Sequence, residues 1–234
     1  MLEVSGLTAG YGDIIAVRDL SFSVNAGSIL SILGANGAGK SSTLMCLMGL
    51  VQQKAGSIVV HGEDISDIAV EDRVKRKMSI VPEGRRIFPD LTVEENLVVG
   101  GHVCIKSALK QNIAGIYDLF PRLYERRSQM AGSLSGGEQQ MLAMGRALIS
   151  EPELLIVDEL SLGLMPKIVD ECYAALENLR AEGLGIILVE QNTERALSVA
   201  DNVCVLEAGN LTWSGTAAEA RNDKSIQDSL LGMS

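Results

Sequence analysis

The chain has 234 residues, 47% of them hydrophobic and 21% charged, and its formal net charge is −10. A chain of this length can bury the core of one large α/β domain. The negative charge argues against a nucleic-acid-binding surface, because phosphate backbones are bound by basic patches.

The N-terminal segment predicts antiparallel β-structure. Apolar and polar residues alternate from Leu2 onward, and further strands are predicted over Ile14–Val17 and Leu20–Val24. Tyr11 falls on a loop between these strands, where it either covers the sheet edge or stacks on an adenine ring. The start shows no signal-peptide pattern and no apolar run reaches the ~18 residues that span a bilayer, so we expect a cytosolic or membrane-peripheral protein.

Residues 28–42 predict a buried strand, a glycine-rich loop and a helix from Lys40 to about Met48. Gly34, Gly39, Lys40 and Ser41 match the phosphate-loop pattern G-x-x-x-x-G-K-[ST]. In such a loop the backbone N–H groups and the helix N-terminus surround a polyphosphate. Lysine adds a cation and serine a hydroxyl for magnesium, so the segment predicts binding of a nucleotide with Mg²⁺.

The middle of the chain changes from strands to helices. Strands are predicted over Gly56–Val60 and Met78–Val81, with a turn at 61–64 and a charged helix over Val70–Lys77 between them. A capping box at 92–95 begins a new helix, and strand patterns are absent from there to residue 150. Ala108–Phe120 has helical spacing that stops at Pro121.

Two groups of residues in the chain allow a structural interpretation. The basic residues of the middle region are interpreted as a solvated helix face plus loop cations, with an interaction patch as the alternative; they are Arg73, Lys75, Arg76, Lys77, Arg85 and Arg86. The cysteines are scattered in apolar surroundings, which predicts buried free thiols without zinc or disulfides; they are Cys46, Cys104, Cys172 and Cys204.

The C-terminal part returns to α/β patterns. Leu154–Val157 and Ile186–Val189 are apolar runs typical of buried parallel strands, with a helix predicted from Pro166 to near Gly183. A hairpin and two short helices are predicted after these elements; their ranges are Asn202–Ser214, Thr216–Arg221 and Ser225–Leu231.

Carboxylates follow the first of these strands. Open α/β sheets bind ligands at the carboxyl ends of their strands, so Asp158 and Glu159 are expected near the phosphate loop. Asp158 would orient magnesium through its water shell, and Glu159 would accept the proton of the attacking water. The alternative is that the two carboxylates only end the strand and take no part in chemistry.

The sequence Leu134-Ser135-Gly136-Gly137-Glu138-Gln139 gives the most specific signal. Ser135 and two glycines at a predicted helix N-terminus expose backbone N–H groups, which makes a second anion site.

Together, the phosphate loop, this signature and the strand ending at Glu159 resemble an ABC transporter ATPase subunit over essentially the whole chain. The connecting segments Val81–Pro89, Leu91–Leu97 and Leu188–Asn192 resemble the branched-chain amino acid importers, and most of all one of their two ATPase subunits. The resemblance implies a P-loop α/β fold of ABC ATPase type in one domain. An α/β core with an antiparallel β subdomain, from 1–84 and 151–234, would hold an inserted helical subdomain at about 85–150.

The resemblance also assigns site residues. Tyr11 matches the adenine-stacking aromatic and Val17 a flanking apolar contact. The residues expected at the phosphates are Gly34, Ala35, Asn36, Gly37, Ala38, Gly39, Lys40, Ser41 and Ser42 from one chain, and Ser135, Gly136, Gly137 and Glu138 from a partner. Ser41, Glu83 and Asp158 are expected at the metal, and Glu159 and Gln191 in catalysis.

Four positions depart from the usual family pattern. Glu83 stands where a glutamine is usual and Gln191 where a switch histidine is usual, while Met165 replaces an aspartate and Leu160 a proline. Gln191 can hydrogen-bond a γ-phosphate but cannot carry charge, which argues against a His–Glu dyad.

The resemblance implies an ATPase that uses ATP and Mg²⁺ to power amino acid import through separate transmembrane permease subunits, supplied by a substrate-binding protein. It would lie at the cytoplasmic side of the inner membrane. One signature and one phosphate loop per chain require a dimer, with itself or with a similar ATPase subunit. The alternatives are a sibling importer for urea, amides or other amino acids, a non-transport ABC ATPase, and a non-hydrolysing nucleotide-binding regulator.

Overall fold

A computed structural model describes residues 1–223 and 226–227. Apart from two residues, the predicted helix over Ser225–Leu231 lies outside this range. The strands are β1 Leu2–Tyr11, β2 Ile14–Val24, β3 Ile29–Leu33, β4 Gln52–Val60, β5 Glu63–Asp64, β6 Met78–Val81, β7 Leu154–Asp158, β8 Gly185–Val189, β9 Asn202–Glu207 and β10 Asn210–Thr216. The α-helices are α1 Lys40–Leu47, α2 Val70–Lys75, α3 Val93–Gly100, α4 Lys106–Leu119, α5 Pro121–Glu125, α6 Gly136–Leu148, α7 Pro166–Ala181, α8 Thr193–Val199 and α9 Ala217–Asn222.

The first sheet is antiparallel, in the order β2-β1-β4-β5. The two strands predicted over Ile14–Val17 and Leu20–Val24 are one continuous strand, so that prediction was wrong. A register shift falls between them, and Asp19 adopts a left-handed φ of 50° there, which interrupts the alternation without ending the strand. The predicted turn at 61–64 contains the short strand β5, and β4 begins earlier than predicted.

The second sheet has six strands in the order β10-β9-β3-β8-β7-β6. All its neighbours run parallel except β9 and β10, so it is mixed, as expected for the predicted fold. Because β3, β7 and β8 are parallel, the segments that follow them meet at one edge of the sheet. The phosphate loop follows β3, Glu159 follows β7, and Gln191 lies two residues after β8, so all three lie at this edge.

Hydrophobic cores lie on both faces of the six-stranded sheet. On one face, α1 and the first sheet pack on β3 and β7; on the other, apolar side chains of α3, α4, α5, α6 and α7 form one continuous cluster with the strands. Helices α3 to α6 occupy the region where we predict a helical subdomain, and the cluster joins them directly to the sheet. Among the described residues, no helix has both the length and the apolar composition needed to cross a bilayer.

Local capping explains where several helices begin. Thr92 and Glu95 form the predicted capping box of α3, since the Thr92 hydroxyl accepts from the Glu95 N–H at 3.2 Å and Glu95 Oε2 accepts from the Thr92 N–H at 2.8 Å. Helix α2 ends two residues before the predicted end, and α8 was not predicted at all.

The basic residues of the middle region do not form one surface. Arg73 was expected on a solvated face, but its guanidinium is buried and donates to the carbonyls of Cys46 and Leu47 at the end of α1, at 2.9 and 2.7 Å. It also donates to the Ile68 and Ser66 carbonyls, so one guanidinium joins the end of α1 to the segment before α2. Arg76 instead pairs with Glu63 near the surface.

The cysteines are free, with Cys46, Cys172 and Cys204 buried as predicted and Cys104 only half-buried.

We predict that Arg73→Met lowers the free energy of unfolding by about 3 kcal/mol, because several buried carbonyls lose a charged donor. Chemical denaturation measures the change. Arg76→Met, at the residue after this helix, is the matched control and should cost clearly less, since an exposed ion pair contributes little. Equal losses in the two variants would contradict the assigned role of Arg73.

Candidate active site

The phosphate loop joins β3 to α1 and depends on two glycines. Gly34 has φ of 151°, and a Cβ there would lie 2.2 Å from the Leu206 carbonyl oxygen. Gly39 has φ of 101°, and a Cβ there would lie 2.5 Å from Cγ1 of Val17. Val17 is therefore fully buried beneath the loop. Val17 thus supports the loop from behind, and its contact with a cofactor stays a prediction.

The loop forms one wall of a cleft of about 570 Å³. The lining residues are Ile15, Ala16, Asn36, Gly37, Gly39, Lys40, Ser41, Ser42, Glu83, Glu159, Gln191 and Ala208. Ile15, Ala16 and Ala208 were not predicted, because small and apolar residues in ordinary strand or turn patterns carry no chemical signal. Gly34, Ala35 and Ala38 form the back of the loop, and Ala38 is buried.

An exposed apolar platform lies beside the cleft. Tyr11 ends β1, pairs with Ile14 of β2 and is 54% exposed. Ile14 is also exposed, and the adjacent Ile15 lines the cleft. An aromatic ring and an aliphatic side chain at a phosphate-loop cleft suit the flat face of a base.

Lys40 holds the loop closed upon itself. Its ammonium group donates to the carbonyls of Gly34 at 2.7 Å and Ala35 at 3.0 Å. Burial lowers the pKa of Lys40, and the carboxylates of Glu159 and Asp158 act in the opposite direction. At the start of α1, Gly39 supplies no side-chain cap, so the first N–H groups of the helix remain available to an anion.

Asp158 ends β7 and is almost completely buried, with 1% of its surface exposed. The Ser41 hydroxyl donates to its Oδ1 at 3.4 Å, and its Oδ2 has no hydrogen-bond partner among the described residues. Burial raises the pKa of Asp158 to about 6, with further increases from Glu159 and Glu83. An unpartnered buried carboxylate oxygen beside a serine hydroxyl fits magnesium, which prefers oxygen ligands.

The described residues alone do not enclose a metal. Within residues 1–223 and 226–227, no three His, Cys, Asp or Glu side chains cluster as a metal site. Magnesium is usually held by one or two protein groups together with substrate phosphates, which agrees with this arrangement. Glu83 is exposed and lines the cleft in the loop after β6, the strand that pairs in parallel with β7.

Glu159 and Gln191 come together across the ends of β7 and β8. The Gln191 amide donates to Oε1 of Glu159 at 2.7 Å, and the Glu159 backbone N–H donates to the Val189 carbonyl at 2.9 Å. Glu159 has a left-handed φ of 54°, and its Oε2 has no hydrogen-bond partner in the described part of the chain. A strained, ordered carboxylate at a phosphate-loop cleft suits a general base.

The signature residues lie outside this cleft. Ser135 caps α6, and its hydroxyl accepts from the Glu138 N–H at 3.3 Å, while Glu138 forms an ion pair with Arg126. Gly137 is needed for packing, because a Cβ there would lie 2.6 Å from Ile168. None of residues 135–138 is among the described residues that line the cleft.

A connection links the cleft loop to the signature helix. Arg85, two residues after Glu83, donates to Oε1 of Gln139 at 3.1 Å, and its guanidinium covers Gly136. Arg85 and Arg86 both have left-handed φ angles, of 66° and 50°.

The structure accounts for one departure from the family pattern, Leu160, and leaves Met165 without a structural explanation. Leu160 is fully buried in the core shared by the helices and the sheet, so an apolar side chain there contributes packing. Met165 is 69% exposed just before α7, in a segment that also exposes Leu162.

Comparison with known proteins agrees with this geometry. A model of the family described as ABC transporter matches residues 17–161, which include the phosphate loop, the signature and Asp158. The chain is 45% identical to the high-affinity branched-chain amino acid transport ATP-binding protein BraG of Pseudomonas aeruginosa, over 99% of this chain and 100% of that protein. It is 34% identical to the probable branched-chain amino acid transport ATP-binding protein LivF of Archaeoglobus fulgidus, over 100% of this chain and 99% of that protein.

The fold is also similar to a solved structure. The ATP-binding subunit of an ABC transporter superposes with a TM-score of 0.86 at 27% identity, over 99% of this chain and 98% of that one.

We predict that Asp158→Asn raises the free energy of unfolding at pH 7.5, measured on protein free of nucleotide and magnesium. The folded-state pKa of about 6 lies above the ordinary 3.8, so the wild type loses stability as the pH rises between these values. The gain from Asp158→Asn should therefore shrink towards pH 4.

Urea denaturation across this pH range measures the difference, with the exposed Asp118→Asn as the control. A variant less stable than the wild type at every pH would contradict a buried-charge penalty at Asp158.

Proposed function

The chain belongs to the ABC transporter family, and we propose that it binds and hydrolyses ATP to energise import of branched-chain or related amino acids through separate membrane subunits. The observation that carries this proposal is the cleft in which the phosphate loop, Asp158, Glu159 and Gln191 meet. The cargo assignment rests on the names of BraG and LivF, since an ATPase site does not itself read the cargo.

The loop binds the phosphates of ATP. Backbone N–H groups at the start of α1 and the Lys40 ammonium surround the β- and γ-phosphates, while Tyr11 and Ile15 contact the base. Magnesium, when bound, is held by Ser41 and Asp158 with Glu83 nearby, and it offsets the negative charge of the phosphates.

Hydrolysis uses Glu159 and Gln191. Glu159 accepts a proton from water as the water oxygen bonds to the γ-phosphorus and the bond to the bridging oxygen of ADP breaks. Gln191 holds the Glu159 carboxylate through its amide and can donate to a γ-phosphate oxygen. Glu83 and Gln191 thus take the places of the usual family glutamine and histidine.

A complete site needs a second ATPase subunit, either the same chain or a similar one. The signature residues Ser135, Gly136, Gly137 and Glu138 stand outside the cleft of their own chain, and Ser135 at the start of α6 is exposed. A second subunit would bring this second anion site over the γ-phosphate. The exposed Leu162 and Met165 supply apolar surface for such a contact.

An exposed apolar surface suits the membrane partner. Phe88, Val98, Val99 and Ile105 are exposed, and Phe88 is held to α3 by the buried Asn96, which accepts from its N–H and donates to its carbonyl, both at 2.9 Å. The loop of Glu83 leads directly into Phe88, so a permease segment bound here would sense the nucleotide cleft. Bound to such a partner, the subunit would lie at the cytoplasmic side of the inner membrane, as the resemblance implies.

We predict that Glu159→Gln binds ATP with the affinity of the wild type but loses magnesium-dependent phosphate release by at least about a hundredfold, as expected for a general base. With ATP it should accumulate as a closed dimer, which size-exclusion chromatography with light scattering detects.

Glu153→Gln, just before the other end of β7, is the matched control and should hydrolyse ATP normally. Normal turnover of Glu159→Gln would refute the base assignment, and a wild type that binds ATP without hydrolysing it would favour a regulator.

We predict that Val98→Ser combined with Ile105→Ser keeps the ATPase activity of the isolated subunit but loses stimulation by the permease subunits in proteoliposomes. Leu50→Ser removes a similarly exposed apolar side chain elsewhere and should change neither activity. Unchanged stimulation in the double variant would place the permease contact on another surface.

A further inference from the structure

Glu190 is a buried carboxylate that the mechanism above does not use. It follows β8 directly, precedes Gln191 and exposes only 2% of its surface. Both of its oxygens are engaged by one residue: Oε1 accepts from the Ser161 N–H at 3.0 Å, and Oε2 accepts from the Ser161 hydroxyl at 2.7 Å. Among the described residues, no lysine, arginine or histidine forms an ion pair with it.

Such a residue is costly to the fold. Burial raises the pKa of Glu190, and the contacts of Ser161 and of the Tyr173 hydroxyl with its carboxylate only partly offset the loss of water. The Tyr173 ring of α7 lies beside it, and the Arg195 guanidinium covers that ring at 4.8 Å from its centroid. The carboxylate is therefore retained for the polar contacts that it makes with Ser161, which an apolar residue could not supply.

The contacts of Glu190 form a second connection between the segments that carry Glu159 and Gln191. Leu160 alone separates Ser161 from Glu159 along the chain, and Glu190 is bonded covalently to Gln191. Gln191 then contacts Glu159 at 2.7 Å, so the ends of β7 and β8 are joined both through Gln191 and through Glu190.

The backbone of Glu159 requires such support. Its φ of 54° is unfavourable for a residue with a Cβ and persists only when the surroundings hold it. The hydrogen bond from the Glu159 N–H to the Val189 carbonyl fixes the backbone on the N-terminal side of Glu159. The hydrogen bonds from Ser161 to Glu190 fix the backbone two residues later.

We propose that Glu190 is a positioning residue that, by holding Ser161, keeps the Glu159 carboxylate aligned with Gln191 for attack on the γ-phosphate. The exposed segment of Leu162 and Met165 begins at Ser161, so the same contact transmits the position of that segment to the base. The inference rests on the proposed ATPase function and assigns it a further residue.

The test measures kcat at saturating ATP, the Kd of a non-hydrolysable ATP analogue and Tm for Ser161→Ala, Glu190→Gln and the double variant. Each single variant should lower kcat about tenfold, as for loss of one hydrogen bond to a charged group, with the Kd unchanged. The double variant should be no slower than the slower single variant, because both remove one contact. Ser161→Thr keeps the hydroxyl and should retain the activity.

Asp201→Asn is the matched control. Asp201 also accepts from a backbone N–H, that of Ile29 at 2.8 Å, but at the opposite end of the sheet. This variant should lower Tm and leave kcat unchanged.

Ser161→Ala or Glu190→Gln with a lower Tm and a wild-type kcat would show a purely structural contact and overturn the inference. If Glu190→Gln does not fold, the comparison of Ser161→Ala with Ser161→Thr decides. A wild type without ATP hydrolysis would instead refute the proposed function, so the two failures are distinguishable.

Discussion

Negative charge confined at one edge of a buried sheet is the constraint on which the structure depends. Asp158 and Glu190 lie at the ends of adjacent parallel strands with almost no exposed surface, and Glu159 stands between them with one oxygen unpartnered. Water cannot solvate these groups fully, so the fold supplies a lysine, hydroxyls and N–H groups in its place. The arrangement costs stability and leaves the edge ready for cations and polar substrates.

Much of the fold could be predicted because strong local signals agree with it. The apolar runs before Asp158 and Glu190 became β7 and β8, and Thr92 and Ser135 begin α3 and α6 through capping boxes. We predicted two strands in place of β2 because the sequence around the bulge at Asp19 interrupts the alternation of apolar and polar residues, as a loop would. Helix α8 has only seven residues, two of them buried, which leaves little periodic pattern to detect.

The site was predictable where a motif has a fixed local geometry and unpredictable where a contact is tertiary. Residues 36–42 of the phosphate loop lie at or directly behind the cleft wall, as the motif requires. The packing of Val17 against the loop could not be predicted, because an apolar residue before a glycine-rich loop can face the ligand or the loop, and the sequence does not distinguish these. Arg73 and Glu190 look like ordinary charged residues; only packing buries them.

The hydrogen bond from Arg85 to Gln139 joins a residue of the cleft loop to the signature helix α6, and in a dimer these two elements would serve different nucleotides. In the proposed dimer, Glu83 faces the ATP of its own chain, while α6 covers the ATP of the partner. Arg85 joins the two within one chain, in a loop where Arg85 and Arg86 both have left-handed φ angles. In that dimer, a shift of the Glu83 loop at one cleft would reach the cover of the other through Arg85, which would couple nucleotide binding at the two clefts.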